Sequence, residues 1–303
     1  MIAWLTDEQP EARAAAFGPV PDGWELRDWP DDPASAPDRD QVRFVVPSWQ
    51  RAQGLHLLPA LEVVQVRSAG VDWLLPLVPP GVTVCDAAGA RDTAMAEWVV
   101  AAILADAKRA REIAEGQAAH EWREVHMGDV AGLRVLVLGH GSIGREAGRM
   151  LEALGCDVTG VARRERDGVY GLDALPELLP RADVLVDLLP LTDVTYELVN
   201  AEVLAGLPDG ALVVNAGRGQ TVDTAALVAE LEVGRLRAVL DVVAPEPLPR
   251  AHPLWRAPGV VISPHAAGDT PRAERAAWAL VGDQLRRFAD GEPLRNVVGP
   301  EGY

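Results

Sequence analysis

Basic charge is what this chain is shortest of. Its 303 residues hold 28 Lys+Arg against 45 Asp+Glu, a formal net charge of −17, and Lys108 is its single lysine. Nucleic acid and anionic membrane are held chiefly by basic surface, so neither is expected as a partner. The shortage of lysine, with Ala, Gly, Pro and Asp abundant, reads as a composition bias, so Arg in place of Lys at a site carries little meaning. Cysteine is nearly absent too. Cys85 and Cys156 are the two, which excludes a disulfide framework and makes a reducing cytoplasm the expected location. Long hydrophobic runs are missing: WVVAAILA at 98–105 stops at Asp106, far short of a membrane span. The opening MIAWLTDEQP lacks the basic segment of a signal peptide. No repeat, low-complexity linker or metal-ligand spacing shows itself, and no metal is expected.

What is present is a globular composition, 49% apolar and 24% charged, on a chain long enough for two domains. Short apolar runs alternate with helical patterns. VRFVVP (42–47), LEVVQVRS (61–68) and GVTVCD (81–86) read as buried strands. From 133 onward the runs LRVLVLG, CDVTGVA, ADVLVDLLP, GALVVNAG, LRAVLDVV and GVVISPH are nearly continuous, as central parallel strands covered on both faces should be. This order predicts an α/β protein with parallel sheets. The stretch 29–40, WPDDPASAPDRD, reads as a surface loop. DTAMAEWVVAAILADAKRAREIAEG (92–116) is expected as one long helix with Asp92 or Thr93 as its N-cap and Gly116 as its stop. A final helix is expected over 271–291.

The most specific local signal is RVLVLGHGSIGREAGRMLEALG (134–155), in which Gly139-x-Gly141-x-x-Gly144 follows a strand and opens a helix. Ile143, Ala147, Met150, Leu151 and Leu154 fall on one helix face. Gly139 suits the tight turn, Gly141 the approach of a pyrophosphate and Gly144 close packing of helix on strand. Ser142, Ile143 and Gly144 then offer N–H groups at the helix start. His140 occupies a variable slot whose side chain should point away. The next strand decides the cofactor. Where an acid would grip the ribose hydroxyls of NAD, VTGVARRERD offers Ala162, then Arg163 and Arg164. Two guanidiniums clamp a 2′-phosphate that a carboxylate would repel, so NADP(H) is preferred, with NAD possible. The bland alternative is a solvated surface pair.

VVISPHAAGDT (260–270) raises a different question, because His265 stands at the end of an apolar strand among small residues. A lone histidine there is more often a satisfied core residue than a catalyst. By itself Arg218, in NAGRG, could cap a helix or pair with Asp223. Glu246, among Pro245, Pro247 and Pro249, would by default be a surface turn. What changes the reading is that Arg218, Asp241, Glu246 and His265 all follow strands at one edge of a predicted sheet. The carboxyl ends of open α/β sheets are where ligands bind. His56, His120, His126 and His252 lie in polar or loop contexts and carry no assigned role.

SAGVDWL (68–74), LGHGSIGRE (138–146), VNAGRGQTVDTAAL (214–227) and LDVVAPEPLPRAHPLW (240–255) leading into SPHAAGDT together resemble the D-isomer-specific 2-hydroxyacid dehydrogenases. The short forms without a regulatory tail, such as glyoxylate/hydroxypyruvate reductases, are the most similar in layout. The resemblance implies two Rossmann-like or flavodoxin-like domains with parallel sheets and an interdomain cleft: a discontinuous substrate domain, 1–98 plus 272–303, and a dinucleotide-binding domain, 99–271. It implies that Arg218 holds the substrate carboxylate and polarises its carbonyl, that His265 is the acid–base and that Glu246 is its partner. Ser68, Ala69, Gly70 and Val71 match the loop that binds the substrate carboxylate, beside Arg218 and His265. Asp241 and His265 match residues that face the nicotinamide, and Pro190, Ala216, Gly217 and Gly268 lie along the cofactor. Ala162 departs from the pattern of NAD-using members. A homodimer is implied as well, with the 92–116 helix contributing.

The chemistry asks for these residue types. Reduction of a 2-oxo acid builds negative charge on oxygen and needs a proton there, which imidazolium supplies near neutral pH. A carboxylate beside the ring favours its charged form, in a site expected to be dry, and a fixed guanidinium meets the substrate's charge. The resulting reading is an NADPH-preferring reductase of a small 2-oxo acid such as glyoxylate or hydroxypyruvate. Two alternatives stay open: a dehydrogenase of the same fold for phosphite or formate, and a non-catalytic dinucleotide sensor resembling corepressors.

Overall fold

The computed structural model describes residues 1–6, 9–166 and 168–299. The chain divides into two compact units, Met1–Arg91 with Asp269–Tyr303, and Asp92–Gly268. The divisions fall at 91/92 and 268/269, where the sequence places them at 98/99 and 271/272, because the helix starting at Asp92 goes whole to the second unit.

In the first unit, β1 (Ile2–Leu5), α1 (Pro10–Ala16), β2 (Glu25–Asp28), β3 (Val42–Val46), β4 (Val63–Gln65) and β5 (Thr83–Cys85) follow one another. The strands form a sheet in the order β2-β1-β3-β4-β5, parallel throughout. This is the flavodoxin-like order. Side chains of successive residues leave opposite faces of a strand. Trp4, Val45 and Val64 therefore pack into one core with Leu55 and Leu74. Ala3, Leu5, Phe44 and Val63 pack into another with Trp278, Val281 and Leu285 of the C-terminal helix Pro271–Asp290. The Thr270 side chain caps that helix by accepting from the Ala273 N–H, and Gly291 ends it at φ 69°. Between sheet and helix the buried Gln284 Nε2 donates to Gln65 Oε1 at 3.0 Å. The 29–40 stretch is less superficial than its composition suggests: Trp29 and Asp38 are buried, and Asp38 accepts from Trp4 Nε1.

The second unit begins with α2 (Asp92–Ala107) and α3 (Ala110–Ala118). The single helix expected over 92–116 is therefore broken. Arg109 adopts a left-handed φ of 52°, and the Ala107 carbonyl accepts the Gly128 N–H instead of continuing the helix. Gly116 does not end α3 but lies buried inside it. Then come β6 (Arg134–Leu138), α4 (Ser142–Ala153), β7 (Asp157–Val161), β8 (Val169–Tyr170), α5 (Leu175–Leu178), β9 (Val184–Asp187), α6 (Ala201–Gly206), β10 (Leu212–Asn215), α7 (Thr224–Glu232), β11 (Arg237–Leu240) and β12 (Val260–Ile262). Of the apolar face expected for α4, Leu154 lies past the helix end and is exposed.

The seven strands run β12-β11-β10-β9-β6-β7-β8, all parallel. Counted from β6 this is the 3-2-1-4-5-6 order of a dinucleotide-binding sheet with one further strand. Both faces are covered: Leu136, Leu138, Leu185 and Val213 pack on one side, Val135, Val137, Val186 and Val214 on the other. Each such side chain contributes about 1.5–3 kcal/mol on burial, enough to set against an ordering cost of about 1–2 kcal/mol per residue. Among the described residues no helix is long and apolar enough to cross a membrane.

Candidate active site

The glycine turn lies between β6 and α4, where strand order reverses between β6 and β9. Gly139 has φ 90°, and a Cβ on it would stand 2.6 Å from the Leu188 carbonyl oxygen. One on Gly144 would stand 2.5 Å from the Gly139 carbonyl oxygen. Gly141 is the opposite case: nothing lies within 4 Å of the place its Cβ would take. No side chain caps α4, so its first N–H groups, those of Ser142, Ile143 and Gly144, are presented beside that open space. A backbone pared down on its inner side and open on its outer side fits a pyrophosphate.

His140 turns inward. Its ring packs against Gly160 and Gly148, and its buried Nδ1 has no hydrogen-bond partner among the described residues. Burial, and then the positive charges of Arg166 and Arg145, hold this imidazole below its ordinary pKa. Past the end of β7, Arg163 and Arg164 are exposed, and no ion pair engages them among the described residues. A third arginine escaped the sequence reading. Arg166 Nη2 donates to the His140 carbonyl at 2.5 Å, tying the basic run after β7 to the glycine turn. Its place in the same basic run was the available signal.

The carboxyl ends of β9 to β12 carry the second cluster. After β10, the Ala216 N–H donates to the Asp187 carbonyl, and a Cβ on Gly217 would stand 2.7 Å from the Leu189 carbonyl oxygen. Pro190 is fixed nearby in sequence, its carbonyl accepting from Thr195 Oγ at 2.6 Å. Arg218 follows, with Nη1 donating to the Gly217 carbonyl at 2.8 Å. Gly219 packs so closely on the Val243 carbonyl that no Cβ could be accommodated, which sets the Arg218 turn against the loop after β11. In that loop Glu246 Oε1 accepts the Val243 N–H at 2.9 Å, and Oε2 lies 2.9 Å from His265 Nδ1.

His265 stands after β12 at φ 54°, a left-handed conformation that costs a residue other than glycine about 1–2 kcal/mol. Asp241 supports it. The His265 N–H donates to the Asp241 carbonyl, Oδ1 accepts from Ser263 Oγ and the Ala266 N–H, and Oδ2 accepts the Ala267 N–H. Sequence reasoning pointed Asp241 at the nicotinamide; both its oxygens also help build the histidine turn, which leads on to Gly268. A strained histidine over-determined by its neighbours is what a functional position looks like.

The electrostatics agree with a working pair. The hydrogen bond to Glu246 holds His265 above its ordinary pKa, while burial and the Arg218 charge pull the other way. Burial pushes Glu246 upward, but the bonds from His265 and the Val243 N–H, with the charges of His265 and Arg218, outweigh it and leave the carboxyl below its usual range. Arg218 thus acts on both members. With Nδ1 engaged by Glu246, Nε2 is the nitrogen left to exchange a proton with a ligand. The imidazole keeps 57% of its surface, and its neighbours Pro264 and Ala266 are exposed as well.

Within the first unit, the 68–71 turn lies between β4 and β5. Ser68 accepts the Ala87 N–H through its carbonyl and donates through Oγ to the Gly70 carbonyl at 2.9 Å. Ala69 and Val71 complete the turn. The preceding Arg67 pairs with Glu274 at 2.8 Å. Trp73 Nε1 also reaches the Gly70 carbonyl, and Trp49 packs on Trp73 with ring centroids 5.3 Å apart; nothing in the sequence pattern had paired these two. His252 caps a short turn through Nδ1, a structural task. Burial pushes the Cys85 thiol up to about 12, so it is no nucleophile. Among the described residues no three His, Cys, Asp or Glu are grouped to hold a metal.

Comparison with known proteins places this geometry among relatives. Residues 100–267 match the family model for the D-isomer specific 2-hydroxyacid dehydrogenase, NAD binding domain. A glyoxylate/hydroxypyruvate reductase A of Salmonella typhimurium is 31% identical over 78% of this chain and 80% of its own. An NADPH-dependent glyoxylate/hydroxypyruvate reductase of Sinorhizobium meliloti, solved in complex with NADP and sulfate, superposes with a TM-score of 0.87 at 31% identity, over 99% of both chains. A D-isomer specific 2-hydroxyacid dehydrogenase of Xanthobacter autotrophicus Py2, in complex with NADPH and MES, gives 0.85 at 32% identity, over 99% of this chain and 98% of that one. Of three other curated relatives that it matches, the chain spans 56%, 47% and 59% of the length.

Proposed function

Since the chain belongs to the D-isomer specific 2-hydroxyacid dehydrogenase family, we propose that it reduces a small 2-oxo acid, such as glyoxylate or hydroxypyruvate, at the expense of NADPH. The observation that carries this reading is the 2.9 Å contact between Glu246 and a left-handed His265. It stands at the same sheet edge as a glycine turn open at Gly141.

The nicotinamide cofactor supplies the hydride. The rest is done by this chain. His265, held protonated by Glu246, gives its Nε2 proton to the carbonyl oxygen as charge grows there, a contribution of about 10²–10⁴-fold for a well-placed acid. Glu246 keeps the ring charged and fixes its tautomer, and is itself fixed by the Val243 N–H. Arg218 supplies a permanent positive charge for the substrate carboxylate and the developing alkoxide. The Ser68–Val71 turn of the first unit is proposed as a backbone site for a carboxylate.

NADPH preference is supported by Ala162, where no acid can oppose a 2′-phosphate, and by Arg163 and Arg164, exposed beside it and outside any ion pair among the described residues. Arg166, in the same run, is bonded to the glycine turn through the His140 carbonyl. The proposed assembly is a homodimer. Trp122, 99% exposed just past α3, is the kind of large aromatic that a second copy of the chain would cover.

The test is NADPH consumption, followed at 340 nm, with a panel of 2-oxo acids. Turnover with glyoxylate or hydroxypyruvate is expected, and none with any 2-oxo acid would overturn the assignment. Replacing Arg163 and Arg164 together by Ala should weaken NADPH about 10–100-fold, as for the loss of charge-assisted bonds, and leave NADH nearly unchanged. Equal losses would remove the phosphate argument.

A further inference from the structure

One acid in the second unit has no part in the mechanism above. Asp187 ends β9 and is 0% exposed. In the sheet it lies between Leu138 of β6 and Asn215 of β10, and among the described residues no cation pairs with it. No titratable side chain faces it from either strand, from the Leu188–Leu189 segment or from the 219–221 turn. Its two oxygens have one partner each: Oδ1 accepts the Leu189 N–H at 2.9 Å, and Oδ2 lies 2.5 Å from Thr221 Oγ.

Thr221, also wholly buried, makes the arrangement unusual. Its Oγ is 2.6 Å from the carbonyl oxygen of Arg218. A hydroxyl has one proton, and here two acceptors compete for it. With Asp187 ionised, the charge-assisted bond wins and the proton faces the carboxylate. The Arg218 carbonyl then meets a lone pair and keeps its other donors, Asn215 Nδ2 at 2.9 Å and the Thr221 N–H at 3.2 Å. With Asp187 protonated, the carboxyl O–H donates to Thr221 Oγ and the hydroxyl turns to donate to Arg218. The single proton gained comes from solvent, and every other bond is retained.

We infer that Asp187 is a positioning residue for Arg218, whose neutral form closes a relay Asp187→Thr221→Arg218 that pins the arginine's peptide. The surroundings set where this occurs. Burial pushes the carboxyl up to about 6, against the pull of the Thr221 and Leu189 bonds, so the relay opens as pH rises through the range in which the protein would work. The inference deepens the proposed function by making substrate-carboxylate binding depend on a proton held out of contact with substrate.

Two readouts test it. The first is the pH dependence of KM for the 2-oxo acid. In the native protein KM should rise about three- to tenfold, the worth of one hydrogen bond, as pH passes through about 6. Asp187→Asn presents an amide N–H to Thr221 at every pH and should hold KM at its low-pH value. Thr221→Val should give the high value throughout, with the kcat limb that belongs to His265 unmoved, and Thr221→Ser should restore the native profile. An Asp187→Asn protein that keeps the native KM profile overturns the inference. The second readout needs no turnover: the carboxyl ¹³C signal of Asp187 and the side-chain amide signals of Asn215 should titrate with one midpoint, and Thr221→Val should uncouple them. Independent midpoints in the native protein overturn the relay even if Asp187→Asn fails to fold. If no 2-oxo acid is turned over, the proposed function falls while this titration still decides on the relay.

Discussion

Glu246 and Asp187 are carboxylates at the same end of one sheet, and their surroundings push them in opposite directions. Glu246 is half-exposed and faces an imidazole, an arginine and a backbone N–H, so its charge is favoured. Asp187 is sealed among apolar strands with a hydroxyl and one N–H, so its charge is disfavoured. A third acid, Asp241, is as buried as Asp187 but spends its oxygens on three donors around His265. The lesson is that an acid's task here is set by what is placed opposite it, since the side-chain chemistry is shared.

The comparison can be broken most severely at its cationic end. His265→Ala should lower reduction by about 10²–10⁴-fold while NADPH binding, followed by fluorescence titration, stays unchanged. Near-native turnover would leave Glu246 without a purpose. Next in size is Glu246→Gln. The hydrogen bond that raises His265 loses its charge, so the fall in kcat/KM with rising pH should move to lower pH. An unmoved profile would mean that the exposed ring titrates independently of its neighbour.

The smallest effect concerns stability. The folded-state pKa of Asp187 is raised, so this group's contribution is fullest below the ordinary carboxyl pKa and is lost as pH rises through about 6. Each tenfold difference in proton affinity between folded and unfolded chain is worth about 1.4 kcal/mol, so the loss by pH 7.5 is on the order of 3 kcal/mol. Asp187→Asn should therefore narrow the gap between melting temperatures at pH 5 and pH 7.5. Glu246→Gln should act in a lower window, because a lowered carboxyl stabilises above its unfolded pKa and loses that contribution only as pH falls below the ordinary carboxyl range. The variant should therefore lose less melting temperature than the native protein between pH 5 and pH 3, and an equal loss would show that Glu246 gains nothing from its partners.

Much of the architecture was legible beforehand because a central parallel strand is apolar on both faces and announces itself as a run. β3 and the strands from β6 onward, β8 excepted, are such runs. β1 and β2 were missed: IAWL is only four residues long, and ELRD is a polar edge strand that nothing in its pattern betrays. The break at Arg109 was invisible for another reason. AKRARE is good helix sequence, and the helix ends because the distant Gly128 N–H takes up its last carbonyl. At the candidate site, Arg218, Glu246 and His265 could be named because their flanking glycines, prolines and small residues are unusual. Asp187 and Thr221 could not, since DLLP and GQTV read as ordinary strand end and turn.

From the sequence alone came the strand alternation, the glycine turn that admits a pyrophosphate and the residue types capable of moving a proton. Those are local properties, written into backbone freedom and side-chain chemistry. Which oxygen faces which proton was decided only by folding. Residues 246 and 265, or 187, 218 and 221, meet because strands far apart in the chain end at one edge, and short-range electrostatic forces act on distance through space.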